Sequence, residues 1–175
     1  MTTFSVPQRP WFAKIAVDIR HNTIIVEANN EIFHFRLDGS FHGRFEKREG
    51  YVNMGYIVLD KENRNLLVTD YADTGVHVYN RSGHWLFKFG TNGFSKGQLR
   101  TPRGICVDTS GHIMVANSGN SRIDMFTSRG EFVRTVVSIT NPWDLALGPD
   151  GELVVTDVLY NIVTIFPRRI VFPHE

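Results

Sequence analysis

The chain repeats itself. "IAVDIRHNTIIVEANNEIFHFRLDGSF" (15–41), "IVLDKENRNLLVTDYADTGVHVYNRSGHW" (57–85), "ICVDTSGHIMVANSGNSRIDMFTSRGEF" (105–132) and "LALGPDGELVVTDVLYNIVTIFPRR" (145–169) are four copies of one unit. Asp18, Asp60, Asp108 and Gly148 occupy matching places, spaced by 42, 48 and 40 residues. Phe35, Tyr79, Phe126 and Phe166 match as well, spaced by 44, 47 and 40. Gly39, Gly83 and Gly130 follow three of these aromatics by four residues, and Ile170 stands there in the fourth copy. A period of this length marks a repeat architecture, in which one unit cannot bury its own apolar surface and must stack on its neighbours.

Each unit reads as short strands. "GICV", "HIMVA" and "RIDMF" are rich in Ile, Val and Phe, and "DTSG", "NSGN" and "SRG" between them are turn chemistry. A fourth strand is expected at "FHGRF", "WLFKF", "FVRTV" and "RIVF". Helical periodicity of useful length is absent. Four strands per unit of this size predicts an all-β fold, a β-propeller of four blades with about four antiparallel strands each. The expected division is an N-terminal extension over 1–9 and a propeller over 10–175, with blades at about 10–50, 51–99, 100–140 and 141–175. The continuous runs "KIAV", "YIVL", "GICV" and "LALG" predict first strands that line the axis, buried on both faces.

The third unit with its leader, "FGTNGFSKGQLRTPRGICVDTSGHIMVANSGNSRIDMFTSRGEF" (89–132), resembles an NHL repeat, agreeing in order at more than a dozen positions. The second unit shares "VTDY" and "VYNRSG", and the fourth shares "DGELVVTD" and "NIVTIF". The resemblance covers about residues 10–170. It implies similarity to the C-terminal NHL domains of tripartite-motif proteins, whose propellers usually have six blades. Four blades then imply a partial propeller, a tight four-bladed closure, or completion by a second chain, with self-association through unclosed blade edges. The RING and B-box parts of such proteins need many Cys and His. Cys106 is the only cysteine, so no ubiquitin-transfer chemistry is expected in this chain itself.

Composition narrows the function classes. Lys and Arg number 19 against 18 Asp and Glu, so a nucleic-acid partner would need a local basic patch. The longest apolar runs are far short of the ~20 residues of a membrane helix, and the N-terminus lacks a signal-peptide h-region. Together with the single cysteine, this makes a cytoplasmic location the expectation, with no membrane partner. No P-loop, Gly-x-Ser-x-Gly elbow or tight His ligand pair occurs. The chain is expected to be non-enzymatic, with no cofactor and no metal. The alternatives are a metal-dependent lyase, as some NHL-like propellers are, or a truncated propeller without independent activity. Asp70, Asn117 and Asp157, one per unit after the second strand, are expected to cap turns.

Alternation of strand direction puts the loops between second and third strands on the same propeller face as the loops between blades. That face should carry Lys47, Arg48, Tyr51, Tyr71, Lys96, Arg100, Arg103, Asn120, Arg122, Trp143 and Tyr160. Basic side chains neutralise phosphates, aromatics stack on splayed bases, and amides read base edges. The resemblance implies the same face for RNA, and the expected partner is therefore a protein or a single-stranded or stem-loop RNA.

Overall fold

The computed structural model describes residues 3, 5, 13–28, 31–45, 54–60 and 63–173. Strands β1 (Ala13–Asp18), β2 (Thr23–Ala28), β3 (Glu31–Phe35) and β4 (Phe41–Phe45) form blade 1. Blade 2 holds β5 (Met54–Leu59), β6 (Leu66–Asp70), β7 (Gly75–Tyr79) and β8 (Trp85–Phe89). Blade 3 holds β9 (Pro102–Val107), β10 (Ile113–Asn117), β11 (Arg122–Phe126) and β12 (Phe132–Ser138), and blade 4 holds β13 (Pro142–Leu147), β14 (Leu153–Asp157) and β15 (Ile162–Phe166). Every sheet is an antiparallel meander in chain order, and neighbouring blades meet along their first strands, β1 with β5, β5 with β9 and β9 with β13. The protein is an all-β propeller. Among the described residues no helix is long and apolar enough to cross a membrane.

Turn chemistry sets the strand lengths. Gly39, Gly83 and Gly130 close the hairpins between third and fourth strands at φ 84°, 81° and 80°, a left-handed conformation that glycine adopts without steric cost. At Gly130 a Cβ would also fall 2.5 Å from the Phe89 side chain of blade 2. The hairpin between first and second strands in blade 3 closes on Asp108, whose Oδ1 accepts the backbone N–H groups of Ser110 and His112, each at 2.8 Å.

Alternation along the strands sends one set of side chains to the preceding blade and the other to the next. Ile25, Ile32 and Ala16 of blade 1 pack on Ile57, Leu66, Val68 and Tyr79 of blade 2. Leu67, Val76, Val78 and Phe89 pack on Ile105, Ile113, Val115 and Phe126 of blade 3. Cys106, Met114, Ala116, Ile123 and Met125 pack on Leu145, Leu153 and Val155 of blade 4. The second and third strands, lying mid-sheet, are the most buried: β6, β7 and β10 are buried throughout.

Two expectations fail, for physical reasons. "RIVF" is not a strand. Pro167 and a missing glycine at Ile170 end the hairpin pattern, and Arg168–Val171 forms a short helix, α1, instead. Val171 and Phe172 plug the blade 3–blade 4 core, and Arg134 donates from Nη2 to the Val171 carbonyl. Among the described residues, blade 4 therefore has three strands. The first strands are not uniformly buried either: Ile15 is 62% exposed and Val17 51%, because both lie on the side of blade 1 turned away from blade 2.

Blade 4 also exposes apolar residues on its outer side. By register, Val163 and Ile165 are the counterparts of Ile123 and Met125, which are buried in blade 3. They are 62% and 64% exposed. Phe126→Ala, which removes a fully buried ring between Phe89 and Phe132, is predicted to cost about 3–5 kcal/mol in urea unfolding. Ile165→Ser on this outer side is predicted to change stability by less than about 0.5 kcal/mol.

Candidate binding site at the loop face

The described members of the predicted face all emerge at the ends of strands on one side of the propeller, as the meander topology requires. Lys47, Arg48 and Tyr51 lie outside the described residues. Three others are brought together. Arg103 follows Pro102 at the start of β9, Trp143 follows Pro142 at the start of β13, and Tyr71 begins the loop after β6. The Arg103 guanidinium lies 4.1 Å from the Trp143 ring centroid and 5.0 Å from that of Tyr71. A guanidinium held on two aromatic faces is attracted by their quadrupoles and fixed in direction. Further toward the axis, the ammonium of Lys14 on β1 stands 5.7 Å from the Tyr56 ring on β5.

Arg103 and Trp143 form one wall of a groove of about 390 Å³ between blades 3 and 4. Thr101, Ser118 and Asn141 supply polar groups, and Val158 and Leu159 supply apolar surface. Ser118 donates its hydroxyl to the Pro142 carbonyl, which ties the two blades together beneath the groove. Val158, Leu159 and Tyr160, in the β14–β15 loop, are 48%, 62% and 62% exposed. Their loop is held by Asp157, whose Oδ1 accepts from the N–H groups of Leu159 (2.8 Å) and Tyr160 (3.1 Å). Asp70 caps the equivalent loop of blade 2 in the same way. Asn117 instead binds the inter-blade loop, accepting from Arg100 N–H at 2.8 Å and donating to the Gln98 carbonyl at 2.9 Å.

The remaining predicted residues divide. Lys96 and Arg100 are exposed, with the Arg100 guanidinium 4.7 Å from the Phe94 ring. Arg122 and Asn120 are built into the scaffold. Arg122 donates to Asp124 Oδ2 (2.7 Å) and to the carbonyls of Phe94, Ser95 and Gln98. Asn120 donates to the carbonyls of Gly93 and Gln98. Both brace the long loop that carries Lys96 and Arg100.

Sequence reasoning did not single out Phe94, Tyr56 or Asp144. Asp144 sits beside Trp143, and burial holds its carboxyl above the ordinary range, opposed by the bond its Oδ1 accepts from Leu145 N–H at 2.8 Å. Burial and the Asp144 charge together raise the Tyr56 hydroxyl. Gly104 permits this approach of β13 to β9, since a Cβ there would lie 2.6 Å from Asp144 Oδ1.

Residues 99–124 match the NHL repeat family model, and the chain as a whole folds as a β-propeller. It is similar to the protein brain tumor of Drosophila melanogaster, at 29% identity over 124 residues, 66% of this chain and 11% of that one. It is also similar to tripartite motif-containing protein 2 of Mus musculus, at 36% identity over 47 residues, 27% of this chain and 6% of that one. The matches thus span about a tenth or less of these relatives' lengths. Among solved structures, one from the nidogen/laminin complex superposes at a TM-score of 0.72 and 21% identity, covering 90% of this chain and 59% of that one. Virginiamycin B lyase from Staphylococcus aureus superposes at 0.68 and 17% identity, covering 94% and 58%. At these identities the likeness is one of fold.

Because its folded-state value is raised, Asp144 holds its proton more tightly in the native state than in the unfolded chain. Stability therefore falls as pH rises through the window between the ordinary and the raised value, and stays lowered above it. Asp144→Asn keeps the acceptor for Leu145 and is predicted to raise Tm at pH 7, at about 2–4 °C per kcal/mol recovered. The gain should shrink toward zero as pH falls through that window, measured by thermal denaturation across pH.

Proposed function

We propose that the chain is a non-catalytic binding module that holds a partner protein in the groove between blades 3 and 4. The observation that carries this reading is Arg103 clamped between Trp143 and Tyr71 at the groove wall. Arg, Trp and Tyr are the side chains that dominate protein-recognition hot spots, because they bring large contact area with little entropy to lose. Here they are already held in place, and the exposed Val158 and Leu159 beside them offer apolar surface to a peptide chain. A cytoplasmic setting is part of this proposal and rests on the single cysteine. Burial pushes the Cys106 thiol up, so it is an inert core side chain.

RNA is the second reading, favoured by the exposed cations Lys96 and Arg100 on the same face. The two readings separate experimentally. A displayed peptide library should yield ligands that Arg103→Ala and Trp143→Ala each weaken by about tenfold or more, with Tm unchanged within a few degrees. A short mixed RNA pool should then show no saturable binding. Saturable RNA binding that weakens steeply with salt would move the assignment to RNA. Ligands that both variants bind as tightly as the parent would place the site elsewhere.

Exposed apolar residues on the outer sides of blades 1 and 4 support a second contact, with another copy of this chain. Blade 4 presents Val163 and Ile165 at positions that elsewhere pack on the next blade. Blade 1 presents Ile15 and Val17 at positions that elsewhere pack on the preceding one. Part of each half of the contact that repeats between the blades is thus exposed, while Val26, Phe33 and Phe35 on the same side of blade 1 are buried. Paired Val163→Glu and Ile165→Glu substitutions are predicted to convert a self-associating protein to a monomer in sedimentation velocity. A wild-type protein that stays monomeric at the highest soluble concentration would refute this contact.

A further inference from the structure

Blades 2 and 3 differ at one polar position in a way that the binding reading does not use. In blade 3 the third strand carries Asp124, paired by register with Val115, and its carboxylate is fully met by protein donors. Asn117 Nδ2 and Arg122 Nε each donate to Oδ2 at 2.7 Å, and Thr135 Oγ1 donates to Oδ1 at 2.7 Å. In blade 2 the same register places His77 opposite Val68, with Asp70 where Asn117 stands, Gly75 where Arg122 stands and Lys88 where Thr135 stands. The amide and the guanidinium are replaced by a carboxylate and a glycine. Asp73 in the loop adds a second carboxylate.

The three side chains converge. One donor atom of each of Asp70, Asp73 and His77 lies within 4.8 Å of the others. His77 Nε2 is 3.7 Å from Asp70 Oδ2 and 3.6 Å from Asp73 Oδ2. Asp70 is fully buried, and its Oδ1 is engaged by the N–H groups of Ala72 and Asp73. Its Oδ2 accepts no hydrogen bond among the described residues and points at His77. A buried carboxylate oxygen without a donor is costly unless a cation stands against it. The Lys88 ammonium is turned to Asp73, with Nζ 2.6 Å from Asp73 Oδ2, which leaves the His77 imidazole as the group facing Asp70 Oδ2.

We propose that Asp70, Asp73 and His77 form a site for a divalent transition-metal ion of the zinc class. One imidazole and two carboxylates are a ligand set that such ions accept. Metal–ligand bonds of about 2.0–2.2 Å need only a small contraction of the observed spacings. The Asp73 side chain is 57% exposed, which leaves an entry path and room for water as a fourth ligand. The metal replaces Lys88 at Asp73 Oδ2. It also ties both ends of the loop that presents Tyr71 to Arg103, so it stiffens one edge of the loop face without entering the groove.

The test is titration of the EDTA-treated full chain with zinc alone by calorimetry, with cobalt(II) as a spectroscopic probe of tetrahedral geometry. Zinc is expected to saturate at one ion per chain and to raise Tm. His77→Gln and Asp73→Asn should each weaken binding about tenfold or more, and Asp73→Asn, at an exposed position, keeps the test valid if His77→Gln fails to fold. Lys88→Met should tighten binding, because it removes the competing cation. No zinc uptake at millimolar concentration overturns the proposal, as does uptake that His77→Gln and Asp73→Asn leave unchanged. Neither measurement involves a partner of the groove, so it stands or falls apart from the binding reading.

Discussion

Face-to-face packing of blades is the contact on which the rest of this molecule depends. A four-stranded meander has two apolar faces and little else to bury them with, so each blade is stable only between neighbours. The alternation of side chains across a strand turns this requirement into a code. In blade 2, Leu66 and Val68 face backward while Leu67 faces forward, and in blade 3 Ile113 and Val115 face backward while Met114 and Ala116 face forward. The code continues into blade 4, where Leu153 and Val155 face backward and Val163 and Ile165 on the forward side are exposed. The loops inherit their placement from the same stacking. A side chain at the start of one first strand necessarily stands beside its counterpart in the next blade, which is how Arg103 meets Trp143.

That geometry explains how much was legible in the chain. The repeats, the meander and the common face of the predicted residues follow from spacing and from strand direction, both of which are written in linear order. The turn glycines and the capping roles of Asp70 and Asp157 follow because they are local. Where the reading failed, the deciding contact was distant. "RIVF" has strand composition, yet Val171 and Phe172 close a core made by residues of two blades. Ile15 and Val17 form an apolar run indistinguishable from "GICV", and only the position of their blade at the end of the stack exposes them.

For the described loop residues, their common side of the propeller was legible and their individual roles were not. Arg100, Arg103 and Arg122 are equivalent in composition and lie within a short stretch. Arg122 is engaged by Asp124 and three carbonyls, Arg100 lies over Phe94, and Arg103 lies over two rings from other blades. No spacing rule separates a bracing arginine from a presented one, because the distinction depends on which acceptors the fold brings within reach. The cluster at His77 was missed for a related reason. Its donors are separated by three and four residues in sequence but are joined across a hairpin, a pattern that helical ligand motifs do not cover.

The comparison of blades 2 and 3 carries this one step further. Repeats keep their backbone geometry while their polar contents drift, so one position can be solved in different ways within a single molecule. Blade 3 solves it with an amide, a guanidinium and a hydroxyl around one carboxylate, giving a knot that is neutralised internally and locks the long loop before β9. Blade 2 keeps the enclosure but gathers two carboxylates around an imidazole, and its lysine reaches only the outer one. The first arrangement is complete without a ligand. The second leaves the buried Asp70 Oδ2 without a hydrogen-bond donor among the described residues, and that oxygen is what the proposed metal ion would meet at the β6–β7 loop. Differences of this kind let a symmetric scaffold place distinct chemistry on successive blades.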